Sequence, residues 1–129
     1  MTRHQQPEGA AFGSYTAVER GVPAVRVREA EAQGLSRADI HMIIPARTLE
    51  RRIAEDAPLK IDEADAIARL LRVVALARKV FDSDALADEW LRSANPALDN
   101  HIPIRMARTD LGGREVEAVL GRIAHGVFG

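Results

Sequence analysis

The sequence predicts an all-α fold, and three observations predict it. Apolar residues recur three and four positions apart over long stretches, no segment alternates apolar and polar residues as a strand does, and serines, prolines and glycines fall where helices start and stop. With 47 % hydrophobic residues in a chain of 129, there is enough apolar material for one compact domain, or for two very small ones sharing a core.

Residues 1–16 are expected to form a flexible tail, because Gln5, Gln6, Pro7, Gly9, Gly13 and Ser14 interrupt any period; order is expected from about Ala17. Pro23 suits the first turn of a helix running to about Gln33, which Gly34 would end in the left-handed conformation. Ser36 followed by Asp39 forms a capping box, since the serine oxygen can take an orphan backbone N–H while the carboxylate faces the helix dipole. A short helix follows, over about 36–42. Pro45 cannot continue it but can open another, in which Leu49 and Ile53 lie one turn apart on one face. The pattern is helix, tight turn, helix.

The segment 60–81 carries the longest helical signal. Ile61, Ala64, Ile67, Ala68, Leu71, Val74 and Ala75 form one stripe, and Leu70, Val73, Ala77, Val80 and Phe81 an adjoining one. So broad an apolar surface predicts a central helix that also contributes to an oligomer seam. Asp82 or Ser83 can cap a further helix whose Leu86, Ala87, Trp90 and Leu91 share a face, with Asn95-Pro96 stopping it. Pro103 opens one more short turn. The last helix, over about 112–125, places Val116, Val119, Leu120 and Ile123 on one face, with Gly112-Gly113 as its entry point and Gly126 as its terminator.

Several kinds of chemistry are excluded or unsupported. Without cysteine there is no disulfide, thiolate metal site or cysteine nucleophile. The histidines at 4, 41, 101 and 125 lack the spacing of a helical metal pair, and each reads as a surface or satisfied side chain. Gly112-Gly113 lacks the Lys-Ser/Thr of a phosphate-binding loop, and none of the four serines stands in a nucleophile-elbow context. No catalytic constellation, cofactor motif or metal site is predicted, so the chain does not read as an enzyme. No apolar run approaches the roughly 20 residues of a membrane span, and the first residues lack the charged-then-apolar order of a signal peptide, which predicts a cytoplasmic protein without a membrane partner.

A net charge of -1 confines any nucleic-acid contact to a local patch. Arg47, Arg51 and Arg52 make one, opposed only by Glu50, before an acidic stretch of Glu55, Asp56, Asp62, Glu63 and Asp65. A recognition helix needs guanidinium and hydroxyl groups on its first turns, and Arg47 and Arg51 share a face. Spacing alone leaves open whether these arginines read DNA or only solvate a surface helix.

The ordered series Ile44-Pro45-x-Arg47-Thr48-Leu49-x-Arg51-Arg52, Leu59, Arg69-Leu70, Phe81, Trp90-Leu91, Asn95-Pro96-Ala97-Leu98, Pro103, and a terminal Gly112, Val116, Leu120-Gly121-Arg122-Ile123 and Gly126 resembles the Xre/MbcA/ParS antitoxin family over about residues 20 to 126. The resemblance implies an Xre-like helix-turn-helix and dimerisation domain at 17–80 and a small helical toxin-binding domain at 81–129. It implies an antitoxin without chemistry of its own. Its partner would be a RES-domain toxin that consumes NAD or transfers ADP-ribose, neutralised by occlusion of the active site. A homodimer within a hetero-oligomer and repression of its own operon through operator DNA are implied as well.

Carried over by position, Arg47, Thr48, Arg51 and Arg52 would face DNA, with Ser36 at a helix N-terminus as a phosphate contact. The toxin-facing set would be Trp90, Asn95, Pro96, Leu98, Arg122, His125, Val127 and Phe128. Trp90, in phase with Leu86, Ala87 and Leu91, reads as a core residue that shapes this domain. For Phe128, insertion into a partner pocket and packing on the chain's own last helix both stay open. Two positions depart from the family pattern. Ile43 stands where relatives commonly have Gly, and a β-branched residue resists positive φ, so DNA binding is expected to be altered or lost, and in a remodelled turn the same arginines would pair with acidic residues of a neighbouring chain. Asp99-Asn100 replace two glycines and are expected to keep the turn, since both tolerate the left-handed region. The rival readings are a stand-alone helix-turn-helix regulator without a toxin partner and a plain helical scaffold.

Overall fold

The structure is a computed structural model and describes residues 10–126. Among these the chain forms eight α-helices and three short 3₁₀ turns, with no β-strand, so the all-α expectation holds. The chain divides into two units, Met1–Ala68 and Arg69–Gly129. The division falls inside the longest helix, whose later turns bond to the C-terminal helices.

In the first unit a 3₁₀ turn, Ala10–Phe12, precedes α1 (Tyr15–Arg20). Phe12 is buried, and Ser14 caps α1 by accepting the Ala17 N–H at 3.1 Å. The chain is therefore organised earlier than the expected start at Ala17: one buried ring and one cap hold residues whose composition suggested a tail. Residues 1–9 of that expected tail lie outside the described residues. Pro23 opens a 3₁₀ turn, Ala24–Arg26, which runs into α2 (Val27–Ala32), and Gly34 follows with a φ of 112°. The chain at 22–24 pairs antiparallel with 57–59: the Ala24 N–H donates to the Ala57 carbonyl at 3.0 Å and the Leu59 N–H to the Val22 carbonyl at 2.8 Å.

α3 (Arg37–Ile43) begins with the predicted capping box. Ser36 Oγ accepts the Asp39 N–H at 3.0 Å, and Asp39 Oδ2 accepts the Ser36 N–H at 2.8 Å. α4 (Ala46–Ala54) follows after Ile44, which is extended at φ -129°, and Pro45 at φ -53°. Ile43 is the last helical residue of α3 and needs no positive φ, so the β-branched side chain at this position does not strain the turn. His41 Nδ1 donates to the Ile44 carbonyl at 2.9 Å, making it a satisfied histidine that closes the turn. α5 (Ile61–Phe81) starts where Glu63 Oε1 accepts the Lys60 N–H at 2.8 Å. Its Ala64, Ala66 and Ile67 join Val27, Ile40, Ile44 and Leu49 among the buried side chains of this unit. Ile61, expected on the buried stripe, is 57 % exposed.

In the second unit the remainder of α5 buries Leu70, Val73, Val74 and Ala77. Asp82 turns the chain at a φ of 51°, and Ser83 caps α6 (Asp84–Leu91) by accepting the Leu86 N–H at 3.1 Å. α6 ends before Asn95-Pro96, which do not stop it but open a 3₁₀ turn, Pro96–Leu98, with Asn95 Oδ1 accepting the Ala97 N–H at 2.9 Å. Asp99 and Asn100 both take the left-handed region, at φ 54° and 63°, as their side-chain chemistry predicts. Pro103 starts α7 (Pro103–Met106), and Thr109 caps α8 (Asp110–Ala124).

Gly112 and Gly113 sit inside the first turns of α8, where both are buried. A Cβ on Gly112 would lie 2.0 Å from the Met106 carbonyl oxygen, and one on Gly113 2.7 Å from Arg69 Cδ. The glycines are thus close-approach residues rather than a simple entry point. They let α8 pack over buried Arg69, whose Nε donates to the Ala107 carbonyl at 2.8 Å and Nη2 to the Arg108 carbonyl at 3.1 Å. A buried guanidinium is tolerated because these carbonyls satisfy its donors.

Candidate functional site

Two surfaces carry the residues singled out by sequence, one in each unit. In the first, α4 turns Leu49 inward and presents Arg47 and Arg51 on the outside, both exposed and neither in an ion pair among the described residues. Thr48 is half-buried one position along. No side chain caps the first N–H groups of α4, so its start offers backbone donors beside two cations. That combination suits phosphate and base-edge acceptors.

Arg52 does not belong with these outward arginines. Its Nη1 pairs with Glu63 Oε1, and the two side chains are only 11 % and 12 % exposed. Since the same carboxylate oxygen accepts the Lys60 N–H, Glu63 fixes the end of α4 against the start of α5. Arg52 is positioned to hold the helix, not to reach a partner. Ser36 is also largely committed: its backbone N–H and its oxygen lone pair serve the capping box, and Asp39 already places a negative charge at the α3 N-terminus. Only its hydroxyl hydrogen is left for a phosphate.

In the second unit, the predicted face of α6 splits in two. Ala87 and Leu91 are buried, whereas Leu86 is 54 % exposed and Trp90 half-buried. The Trp90 ring lies 5.8 Å from that of Phe81, tilted by 44°, a favourable offset geometry for an aromatic pair. Phe81, Leu86, Trp90, Ala94 and Pro96 line a groove of about 460 Å³, to which Glu89 contributes the lone charged side chain. The groove brings together three predicted residues, Trp90, Asn95 and Pro96. Leu98 is not among them: it is buried and anchors the turn from within.

Arg122 and His125 are exposed at the end of α8 and do not line the groove. Val127 and Phe128 lie outside the described residues. A second cleft of about 580 Å³ lies between the loop at 99–102, α7 and the start of α8, where Asp99, Arg105, Arg108 and Glu115 mix both signs of charge. Sequence reasoning missed Leu86 as a surface residue. The available signal was the i, i+4 phase of Leu86 with Trp90, which marks a shared stripe but not which part of a broad apolar face is covered.

The candidate chemistry is recognition. Among the described residues no group of three or more His, Cys, Asp or Glu is placed to hold a metal ion, and no helix is long and apolar enough to cross a membrane.

Comparison with known proteins assigns the second unit first. Residues 76–126, which contain the whole groove, match the family described as the antitoxin Xre/MbcA/ParS C-terminal toxin-binding domain. The chain is also similar to Antitoxin Xre of Pseudomonas putida KT2440, 34 % identical over 122 residues that cover 93 % of this chain and 77 % of that protein. It is 35 % identical to Antitoxin Xre of Yersinia enterocolitica over 86 residues, 66 % of this chain and 58 % of that protein. Antitoxin Xre of Photorhabdus laumondii is 32 % identical over 85 residues, 65 % of this chain and 57 % of that protein.

Proposed function

Because the chain belongs to the Xre/MbcA/ParS antitoxin family, we propose that it is the antitoxin of a type II pair, binding and neutralising a RES-domain toxin that consumes NAD or transfers ADP-ribose. The observation that carries this reading is the match of residues 76–126 to a toxin-binding domain, on a unit that exposes an aromatic groove. The second unit, proposed here as the toxin-binding domain, meets the toxin through Trp90, Asn95 and Pro96 and through its C-terminal end, with Arg122 and His125 followed by Val127 and Phe128. Occlusion of the active site needs no reactive group on the antitoxin.

The first unit is the Xre-like domain and has two roles in this reading. Arg47, Thr48 and Arg51 face operator DNA, which makes the antitoxin a repressor of its own operon. Exposed Tyr15, Val25 and Ile61 supply apolar surface for a homodimer within a hetero-oligomeric complex. The alternative, a helix-turn-helix regulator without a toxin, draws on α4 alone and leaves the groove without a use.

Growth rescue tests the reading. The toxin gene beside this one is expressed with the full chain and with a chain ending at Gly126. Rescue by the full chain only places residues 127–129 at the toxin active site; equal rescue moves inhibition to the body of the second unit; rescue by neither removes the antitoxin reading and leaves the regulator.

A further inference from the structure

We infer that the groove between α6 and the Pro96 turn is an anchor pocket for one apolar side chain of the toxin, flanked there by a lysine or arginine that meets Glu89. This deepens the antitoxin reading and rests on it. Four features of the groove carry the inference.

The first is what the pocket is made of. Phe81 and Trp90 form a tilted aromatic wall, with Leu86, Ala94 and Pro96 completing an apolar lining. Partly buried tryptophan in a pocket is the side chain on which binding energy concentrates at interfaces. The second is that the lining is left uncovered. Ala87 and Leu91 of the same helix are buried, yet Leu86 stays 54 % exposed, one turn before Trp90. Leaving a leucine outside beside a half-buried tryptophan costs hydrophobic stabilisation that a partner would recover.

The third feature is size. A groove of about 460 Å³ accepts one large side chain with its flanking backbone, but not a helix along its length. The fourth is charge. Glu89 is exposed, is the charged residue of the lining, and has no ion pair among the described residues. The neighbouring carboxylates are already engaged, Asp84 with Arg78 at 3.4 Å and Asp88 with Arg92 at 2.7 Å. A cation next to the apolar anchor is therefore the complement that this rim selects, and an acidic or purely apolar segment is not.

The test uses the full chain and the toxin from the neighbouring gene. Trp90 is the single tryptophan, so 5-fluorotryptophan gives one ¹⁹F resonance reporting on the groove. That resonance should shift when unlabelled toxin is added. Leu86→Glu changes an exposed side chain, so thermal unfolding should be unaltered while toxin affinity falls about 30-fold. Glu89→Lys should weaken binding about tenfold at low salt and less at high salt, as a screened rim charge does. Toxin binding with an unmoved resonance, or Leu86→Glu binding within about twofold of the parent, overturns the pocket while leaving the antitoxin reading in place. A dimer that Leu86→Glu dissociates without toxin also overturns it, by giving the groove to a second copy. Failure of the unaltered chain to bind toxin removes the antitoxin reading and the pocket with it.

Discussion

α4 and α6 are nearly the same object in different use. They have nine and eight residues, each follows a turn without glycine, and each buries one side in its own unit, Leu49 for α4 and Ala87 with Leu91 for α6. What they leave outside differs. α4 presents Arg47 and Arg51, whereas α6 presents Leu86 and Trp90, with Glu89 the one carboxylate lining their groove. A cationic face gains its energy at long range, depends on salt, and tolerates imperfect fit; an apolar groove gains it only at contact and depends on shape. In the proposed reading, the exposed side of each helix selects the class of partner and the buried side only holds the helix in place.

Scaffold substitutions should therefore change stability, and face substitutions should change binding. The largest effect is expected at Gly112. Gly112→Ala forces a Cβ to within 2.0 Å of the Met106 carbonyl oxygen, and should cost about 3 kcal/mol, read as a lower urea midpoint with loss of amide protection in the second unit. Gly121→Ala on the same helix is the control. Beyond its chain neighbours and the adjoining helix backbone, nothing lies within 4 Å of its added Cβ, so it should stabilise by about 0.7 kcal/mol.

In the first unit Arg52→Ala should cost about 2 kcal/mol, because it leaves Glu63 largely buried without its partner. Arg51→Ala, one residue away, should cost under about 0.5 kcal/mol by the same urea titration. Equal losses at both positions would erase the distinction between the holding arginine and the facing one. Ser36→Ala should cost about 1 kcal/mol through the lost cap, whether or not DNA is bound. The smallest stability effect belongs to Arg47→Ala with Arg51→Ala, within about 0.5 kcal/mol. In a DNA-shift assay with its own promoter, that double variant should lose salt-sensitive binding, each phosphate contact removed flattening the log–log salt slope by about 0.9.

The positions that sequence made legible are those set by local chemistry. The Ser36–Asp39 box, the Ser83 cap, the left-handed Asp99-Asn100 pair and the apolar face of α8 follow from neighbours within four residues. What escaped the sequence depends on distant partners. Arg52 reads like Arg51 until Glu63 folds against it, 11 positions away. Gly112-Gly113 read as a helix start until Arg69 and the Met106 carbonyl arrive beneath them. Leu86 and Leu91 share one apolar stripe in sequence, and only packing decides which is covered. Ile43 shows the reverse: the strain expected of it never arises, because the turn is made by extended Ile44 and Pro45.

The most direct test of the central claim is calorimetric titration of the neighbouring gene's toxin with this chain at several temperatures and two salt concentrations. Tight binding with a clearly negative heat-capacity change, little altered by salt, is the result expected of an apolar groove on the second unit. Binding that vanishes at high salt with no heat-capacity change would mean that charged contacts, not the apolar groove, hold the toxin, and would contradict the role given to α6.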